Sequence, residues 1–92
     1  MILYEDPKLS KITSKLKKMR LMRQYTQESL AEISGVNIKS LASYEQDPIK
    51  LLNASTLTVY KLAEALNCEI DDILNKEKIY DTNININNGG GK

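Results

Sequence analysis

The sequence predicts an all-α fold, a compact bundle of five helices in one domain. The chain has 92 residues, of which 41% are hydrophobic, and tyrosine is its only aromatic residue type, so the core has to be aliphatic. An aliphatic core favours packed helices over a β-sandwich. Apolar residues also recur at steps of three and four, which is typical of amphipathic helices. The length suits a single domain, because domains usually have about 100–200 residues.

The first helix is expected to begin just after Pro7, since proline fits a helix only near its start. Leu9, Ile12, Leu16 and Met19 form its apolar stripe, and it should end at about residue 24. Residues 1–7 are then an N-terminal extension, and the domain spans residues 8–76.

The second helix is expected over residues 27–34, with Thr26 as its N-cap. Ser29 lies three residues after Thr26, which makes only half of a capping box. Gly35 should leave this helix in the left-handed conformation, and Asn37 is a good N-cap for the third helix.

The third helix should end near residue 45 or 46, because the residue before a proline disfavours the helical conformation and Pro48 follows Asp47. The connector that comes next is unusually apolar, so Ile49, Leu51 or Leu52 should lie on the core or on a partner.

A fourth helix is expected to begin after Ser55, with five positions of its sequence at helical steps. These positions are Leu57, Tyr60 or Lys61, Leu62, Ala63 and Leu66. A last short helix should span residues 70–74. Residues 77–92 are mostly polar and carry three consecutive glycines before the final lysine, and we expect them to be a disordered tail.

The composition argues against an enzyme and against a metal site. The chain has no histidine and one cysteine, so the usual general base and the common zinc ligands are missing. Asp71 and Asp72 are adjacent, and a helix would direct them apart. We therefore expect no catalytic residue, no metal and no cofactor.

The chain contains no run of 18 apolar residues, and its first residues include acids where a signal peptide would need basic ones. These features predict a cytoplasmic protein that does not enter a membrane.

Positive charge is concentrated in the first half of the chain. Residues 8–50 hold nine basic and four acidic residues, a net charge of +5, although the whole chain carries only +1. This basic half contains the predicted second and third helices.

The residue types of these helices follow an ordered pattern, which comprises Arg20, Thr26, Gln27, Leu30, Ala31, Gly35, Val36, Asn37 and Glu45, followed by VYKLAEALNCEIDDIL. The pattern resembles that of the Cro and phage-repressor family of DNA-binding domains, also called the XRE family. The resemblance covers residues 16–74. It implies a lambda-repressor-like domain in which helices two and three form a helix-turn-helix unit, and an ion pair between Arg20 and Glu45.

The resemblance also assigns contacts to double-stranded DNA. Thr26 and Gln27 would hold a phosphate at the start of helix two. Asn37, Ile38, Lys39, Ser40 and Ser43 would face base edges or flanking phosphates in the major groove. Lys15, Lys18, Arg23 and Lys50 are the candidate phosphate partners among the basic residues.

Direct reading of bases should be modest. Of the exposed positions only Lys39 reaches guanine, while Ile38 could pack on a thymine methyl group. Asp47 stands where relatives often have glycine, and its charge would repel a phosphate.

The predicted function is a sequence-specific transcriptional regulator, a repressor, that binds a two-fold symmetric operator as a homodimer. The alternative is a protein-binding module, such as the antitoxin of a toxin and antitoxin pair, whose partner would be a toxin-like protein. Residues 53–68 are similar to those of small XRE proteins of that kind.

Overall fold

A computed structural model describes residues 14–78, which fold into five α-helices and one 3-10 turn. The helices are α1 (Lys15–Met22), α2 (Gln27–Ser34), α3 (Ile38–Gln46), α4 (Pro48–Leu52) and α5 (Thr56–Ala65), and the 3-10 turn is Ile70–Asp72. No strand is present in this part of the chain, which confirms the predicted fold class. The predicted extension and nearly all of the predicted tail lie outside the described residues.

The core is aliphatic, as the composition required. Its fully buried side chains are Leu16, Leu30, Leu41, Leu51, Leu62, Leu66 and Ile73. Helix α2 packs on α5 and α3, α3 also packs on α1 and α4, and the 3-10 turn contacts α5 and α1. Every helix therefore contributes at least one buried leucine to one shared core.

Helix α1 begins later than the sequence predicted. Ser14 has an extended backbone with φ of −80° and ψ of 117°, and its Oγ accepts a hydrogen bond from the Lys17 N–H at 3.1 Å. A serine that caps in this way starts a helix, so a continuous helix from residue 8 is wrong. The Lys15 N–H is also satisfied, because it donates to Asn75 Oδ1 at 2.9 Å.

The end of α1 is also earlier than expected, because Gln24 adopts a left-handed φ of 63°. The Gln24 N–H donates to the Leu21 carbonyl at 2.9 Å, and the Tyr25 N–H donates to the Arg20 carbonyl at 3.1 Å. This pair of bonds is a Schellman motif, which satisfies carbonyls that the helix end would otherwise leave free.

The apolar connector contains a helix that the sequence analysis missed. Asp47 Oδ1 accepts a hydrogen bond from the Ile49 N–H at 3.2 Å, and Pro48 occupies the first position of α4. Asp47 thus ends α3 and caps α4, so this acidic residue has a structural role between the two helices. Leu51 is buried with 2% of its surface exposed, which confirms that the connector contributes to the core.

Two expectations for the C-terminal half are corrected. Leu57 and Tyr60 are 60% and 50% exposed, because Val59 takes the inward position on α5. The predicted last helix is the short 3-10 turn, in which the side chain of Asp72 accepts from the Glu69 N–H at 2.9 Å. The Ile73 N–H donates to the Ile70 carbonyl at 3.1 Å, three residues back, which is the hydrogen bond of a 3-10 helix.

Candidate nucleic-acid interface

Helices α2 and α3 and the turn between them form one rigid unit. Gly35 has φ of 77°, in the left-handed region, as predicted. Ser34 adds a contact that the sequence analysis missed, because its Oγ accepts from the Val36 N–H at 3.2 Å. Leu30 and Leu41 are fully buried between the helices, so the turn is fixed by packing as well as by hydrogen bonds.

The start of α2 is capped more completely than predicted. Thr26 Oγ1 accepts from the Ser29 N–H at 2.9 Å, and the Thr26 N–H donates to Ser29 Oγ at 2.9 Å. Serine therefore completes a reciprocal capping box that the sequence rule assigns to glutamate or glutamine. The expectation of half a box is wrong, because the short hydroxyl still reaches the backbone.

The outward face of α3 is defined by its helical geometry. Successive residues of a helix turn by about 100°, so residues 38, 39, 42, 43 and 46 share one side. Ile38, Lys39 and Gln46 are exposed, and Ala42 and Ser43 are half-buried. Leu41 is buried on the side that faces the core, and the buried Glu45 lies at the edge of the outward face, in one recess with Ala42 and Gln46. Gln46 was missed among the sequence candidates, although its spacing of seven from Lys39 could have indicated it.

Two predicted contact residues lie at the edge of this face. Asn37 Oδ1 accepts from the backbone N–H groups of Lys39 and Ser40 at 2.8 and 3.3 Å, so Asn37 caps α3 as predicted. Its amide nitrogen is the part that remains for a ligand. Ser40 is half-buried and about 100° beyond Lys39, which places it on the flank of the outward face.

Arg20 and Glu45 form a buried ion pair that ties α1 to α3. Arg20 Nε donates to Glu45 Oε2 at 2.6 Å, and a terminal nitrogen donates to Oε1 at 3.0 Å. The other terminal nitrogen donates to the Tyr25 carbonyl at 2.8 Å. Only 8% of the arginine side chain and 3% of the glutamate side chain are exposed. The resemblance implied this pair, and the structure brings the two residues together with two parallel hydrogen bonds.

The same carboxylate holds Gln27, the first residue of α2. Gln27 Nε2 donates to Glu45 Oε1 at 3.0 Å. An ionised carboxylate only accepts hydrogen bonds, so the amide nitrogen of Gln27 has to face Glu45. This bond fixes the orientation of the Gln27 amide, which the sequence analysis did not foresee because the two residues are 18 positions apart.

The predicted basic residues divide between two sides of the domain. Lys15 Nζ donates to the Asp71 carbonyl at 2.8 Å, and Arg23 Nε donates to the Leu66 carbonyl at 2.8 Å. Both therefore bind the C-terminal part of the domain. A contact from Arg23 to DNA stays a prediction, in competition with the carbonyl groups that it already binds.

Two lysines lie beside α3. Lys50 Nζ donates to Ser43 Oγ at 3.2 Å, which places a positive charge next to the outward face. Lys17, which was not among the predicted contacts, lines an open recess with Gln27, Ala42, Glu45 and Gln46. Lys18 is half-buried, about 100° from Lys17 around α1.

A second recess lies at the other end of the domain, between α5 and the 3-10 turn. Tyr60, Glu64, Cys68 and Glu69 are among its lining residues. Burial raises the pKa of the Cys68 thiol, and a hydrogen bond to Glu64 raises the pKa of Tyr60. A thiol that stays protonated at neutral pH is a poor nucleophile and a poor metal ligand.

The described residues contain neither a cluster of metal ligands nor a helix that could span a membrane. Among residues 14–78 no group of three or more histidine, cysteine, aspartate or glutamate side chains is placed to hold a metal ion. Over the same residues, every helix is too short or too polar to cross a membrane.

Two short helices joined by a glycine turn, with an open outward face on the second, define a helix-turn-helix domain. A family model described as a helix-turn-helix domain matches residues 13–79, and the chain belongs to that family. Searches among curated proteins and among solved structures each return no match. Helix-turn-helix domains bind DNA by placing the second helix in the major groove.

Proposed function

We propose that this chain is a sequence-specific transcriptional regulator without enzymatic activity, and that it represses genes by binding an operator in double-stranded DNA. The observation that carries the proposal is the outward face of α3, on which Ile38 and Lys39 are exposed beside the fixed amide of Gln27. The ordered motif of α1 to α3 supports assignment to the Cro and phage-repressor family.

In this proposal α3 lies in the major groove with its first turn against the bases. Lys39 donates to guanine, and Ile38 packs on a thymine methyl group. Ser40 and Ser43 can hydrogen-bond to more than one base and therefore add little sequence preference. Thr26, Gln27 and the Asn37 amide contact the phosphates that border the groove, and Lys18 and Arg23 contact flanking phosphates. Most of the affinity then comes from phosphate contacts, which makes binding strongly dependent on salt.

The regulator binds as a homodimer in this proposal. One α3 presents few base-reading side chains, so two copies on half-sites about one helical turn apart are needed for tight binding. The operator is therefore expected to be two-fold symmetric.

Selection of duplexes from a random library by the purified protein tests this function. We expect one enriched two-fold symmetric sequence, and an affinity for it that falls steeply as salt rises. Absence of binding to any duplex at low salt would contradict a role in DNA recognition.

A second candidate function is a protein-binding module, such as an antitoxin that binds a toxin-like partner. The exposed apolar side chains of Leu57 and Tyr60 on α5 favour a protein contact at that helix. Co-purification with the product of a neighbouring gene, abolished by L57D, would support this candidate, whereas a monodisperse homodimer that L57D separates would assign α5 to dimerisation.

A further inference from the structure

The recess beside α3 carries one net positive charge. Its charged lining residues are Lys17 and Glu45, and both carboxylate oxygens of Glu45 accept hydrogen bonds from the Arg20 guanidinium. The ion pair is neutral as a unit, so the ammonium group of Lys17 determines the charge that the recess presents to a ligand. A cation is disfavoured there, and an anion is favoured.

The ammonium group of Lys17 is available for a ligand. Within residues 14–78 its side chain makes no hydrogen bond and no ion pair, in contrast to Lys15 and Lys50, which bind the Asp71 carbonyl and the Ser43 hydroxyl. Lys17 is half-buried at the edge of the recess. Neutralising its charge would therefore cost no contact within the described domain.

Gln27 supplies a second donor in the same recess. Its amide nitrogen carries two N–H groups, and one of them donates to Glu45 Oε1 at 3.0 Å. The other N–H remains for an acceptor. Because Glu45 can only accept, it prevents the amide from turning its oxygen towards this position.

We propose that Lys17 and Gln27 bind the same phosphate of the DNA backbone, and that Glu45 acts as a positioning residue that orients the Gln27 amide. This inference rests on the proposed function. A phosphate oxygen matches a point charge next to a neutral N–H donor. Ala42 and Gln46 belong both to the recess and to the outward face of α3, so a duplex bound along that face has its backbone beside the recess.

The test is the salt dependence of affinity for a selected duplex, measured with the full chain. Each phosphate contact by a cation contributes about 0.9 to the slope of log affinity against log salt, so K17A should lower the magnitude of the slope by about 0.9. K17R should retain the wild-type slope. K76A is the matched control, because Lys76 pairs with Asp71 on the exposed surface at 3.3 Å and its removal changes the net charge equally.

Sharing of one phosphate is tested by combining the variants. If Lys17 and Gln27 bind the same group, the K17A and Q27A double variant should lose less affinity than the product of the two single losses. E45Q carries an amide that donates as well as accepts, so it no longer fixes the orientation of the Gln27 amide. It should therefore cost more DNA affinity in the wild-type background than in the Q27A background. Circular dichroism at the assay temperature checks the folding of each variant, and affinities are compared among the folded ones.

Two results would overturn the inference. One is a salt slope for K17A equal to that of K76A, and the DNA-binding function would then remain intact. The other is a K17A and Q27A double variant that loses the full product of the two single losses, because the two residues would then act independently. A wild-type protein that binds no DNA would instead refute the proposed function itself.

Discussion

Glu45 accepts three hydrogen bonds through its two carboxylate oxygens, two from Arg20 and one from Gln27. The residue therefore links α1 to the start of α2, beside the outward face of α3. A buried ion pair adds little net stability compared with apolar residues of the same size, but it makes the loss of one partner costly. At the residue scale, Glu45 fixes both the distance between α1 and α3 and the orientation of one donor.

Removal of one partner of this pair should strongly destabilise the domain. Glu45→Gln leaves the Arg20 guanidinium buried without a counter-charge, and the free energy of unfolding should fall by about 3–5 kcal/mol. Urea unfolding measures this loss.

Two further variants separate the pair from a general charge effect. Glu32 is exposed on α2, and Glu32→Gln should change stability by less than about 0.5 kcal/mol. The R20M and E45L double variant should lose less than the sum of its single variants. A cost below about 1 kcal/mol for Glu45→Gln would show that the ion pair does not hold α1 on α3.

At the scale of single elements, the residues that form caps decide where each helix begins and ends. Gly35 and Gln24 both adopt left-handed backbone conformations, with φ of 77° and 63°. Glycine adopts this conformation without strain, whereas residues with a Cβ pay about 1–2 kcal/mol. The two positions therefore respond to substitution in opposite directions.

Gly35→Ala should lower the free energy of unfolding by about 1 kcal/mol or more. Apart from its own chain neighbours, a Cβ at Gly35 would meet no atom within 4 Å, so the cost is backbone strain alone. Gln24→Gly removes a similar strain and should raise stability by up to about 1 kcal/mol. Thermal unfolding of both variants checks the pair, and a stabilising Gly35→Ala would refute the left-handed turn between α2 and α3.

Local rules predicted the elements whose signals lie close together in the sequence. Gly35, Thr26 and Asn37 were recognised because a turn or a cap depends on the residue type at that position. The start of α1 was missed, since the periodic stripe of residues 9–19 continues through Ser14 and hides its cap. Helix α4 was missed because Asp47-Pro48 signals both the end of one helix and the start of another.

The candidate site could be predicted only in part, for a tertiary reason. The outward residues of α3 follow from helical spacing. Two features depend on how α1 packs against the other helices, and no local sequence pattern specifies that packing. One is the position of Lys17 beside Gln27, and the other is the hydrogen bond from Arg23 to the Leu66 carbonyl. Resemblance supplied the ion pair, whose partners are 25 residues apart.

At the scale of the whole molecule, the C-terminal segment closes the bundle on the start of α1. Asn75 Oδ1 accepts from the Lys15 N–H, and Asn75 Nδ2 donates to Glu77 Oε2 at 2.8 Å. This second bond lowers the pKa of the Glu77 carboxyl group. The first two residues of the predicted tail are thus still bonded to the domain, since the Lys78 N–H also donates to the Asn75 carbonyl.

Asn75→Ala should destabilise the domain by about 1–3 kcal/mol, because it leaves the Lys15 N–H without its acceptor at a buried site. Asn53→Ala is the control, since Asn53 is exposed and makes one long hydrogen bond to the Ile49 carbonyl at 3.3 Å. Urea unfolding should separate the two variants by at least about 1 kcal/mol. Equal stabilities would mean that the C-terminal segment does not stabilise the bundle.

The basic residues of the domain fall into two groups with different surroundings. Lys15 and Arg23 bind the C-terminal half, while Lys17 and Lys50 lie beside α3. Positive charge next to the recognition helix should supply affinity for any duplex, and the outward face of α3 should supply the preference for one sequence.

The central claim, that the outward face of α3 reads DNA sequence, is tested most directly by selecting duplexes with wild type, Lys39→Ala and Gln27→Ala. We expect Lys39→Ala to lose the preference for guanine at one position of each half-site, a change of about 1–3 kcal/mol, because its ammonium group no longer reaches the base. Gln27→Ala should weaken binding to all duplexes and leave the selected sequence unchanged. The same selected sequence and the same discrimination for Lys39→Ala and wild type would contradict the claim.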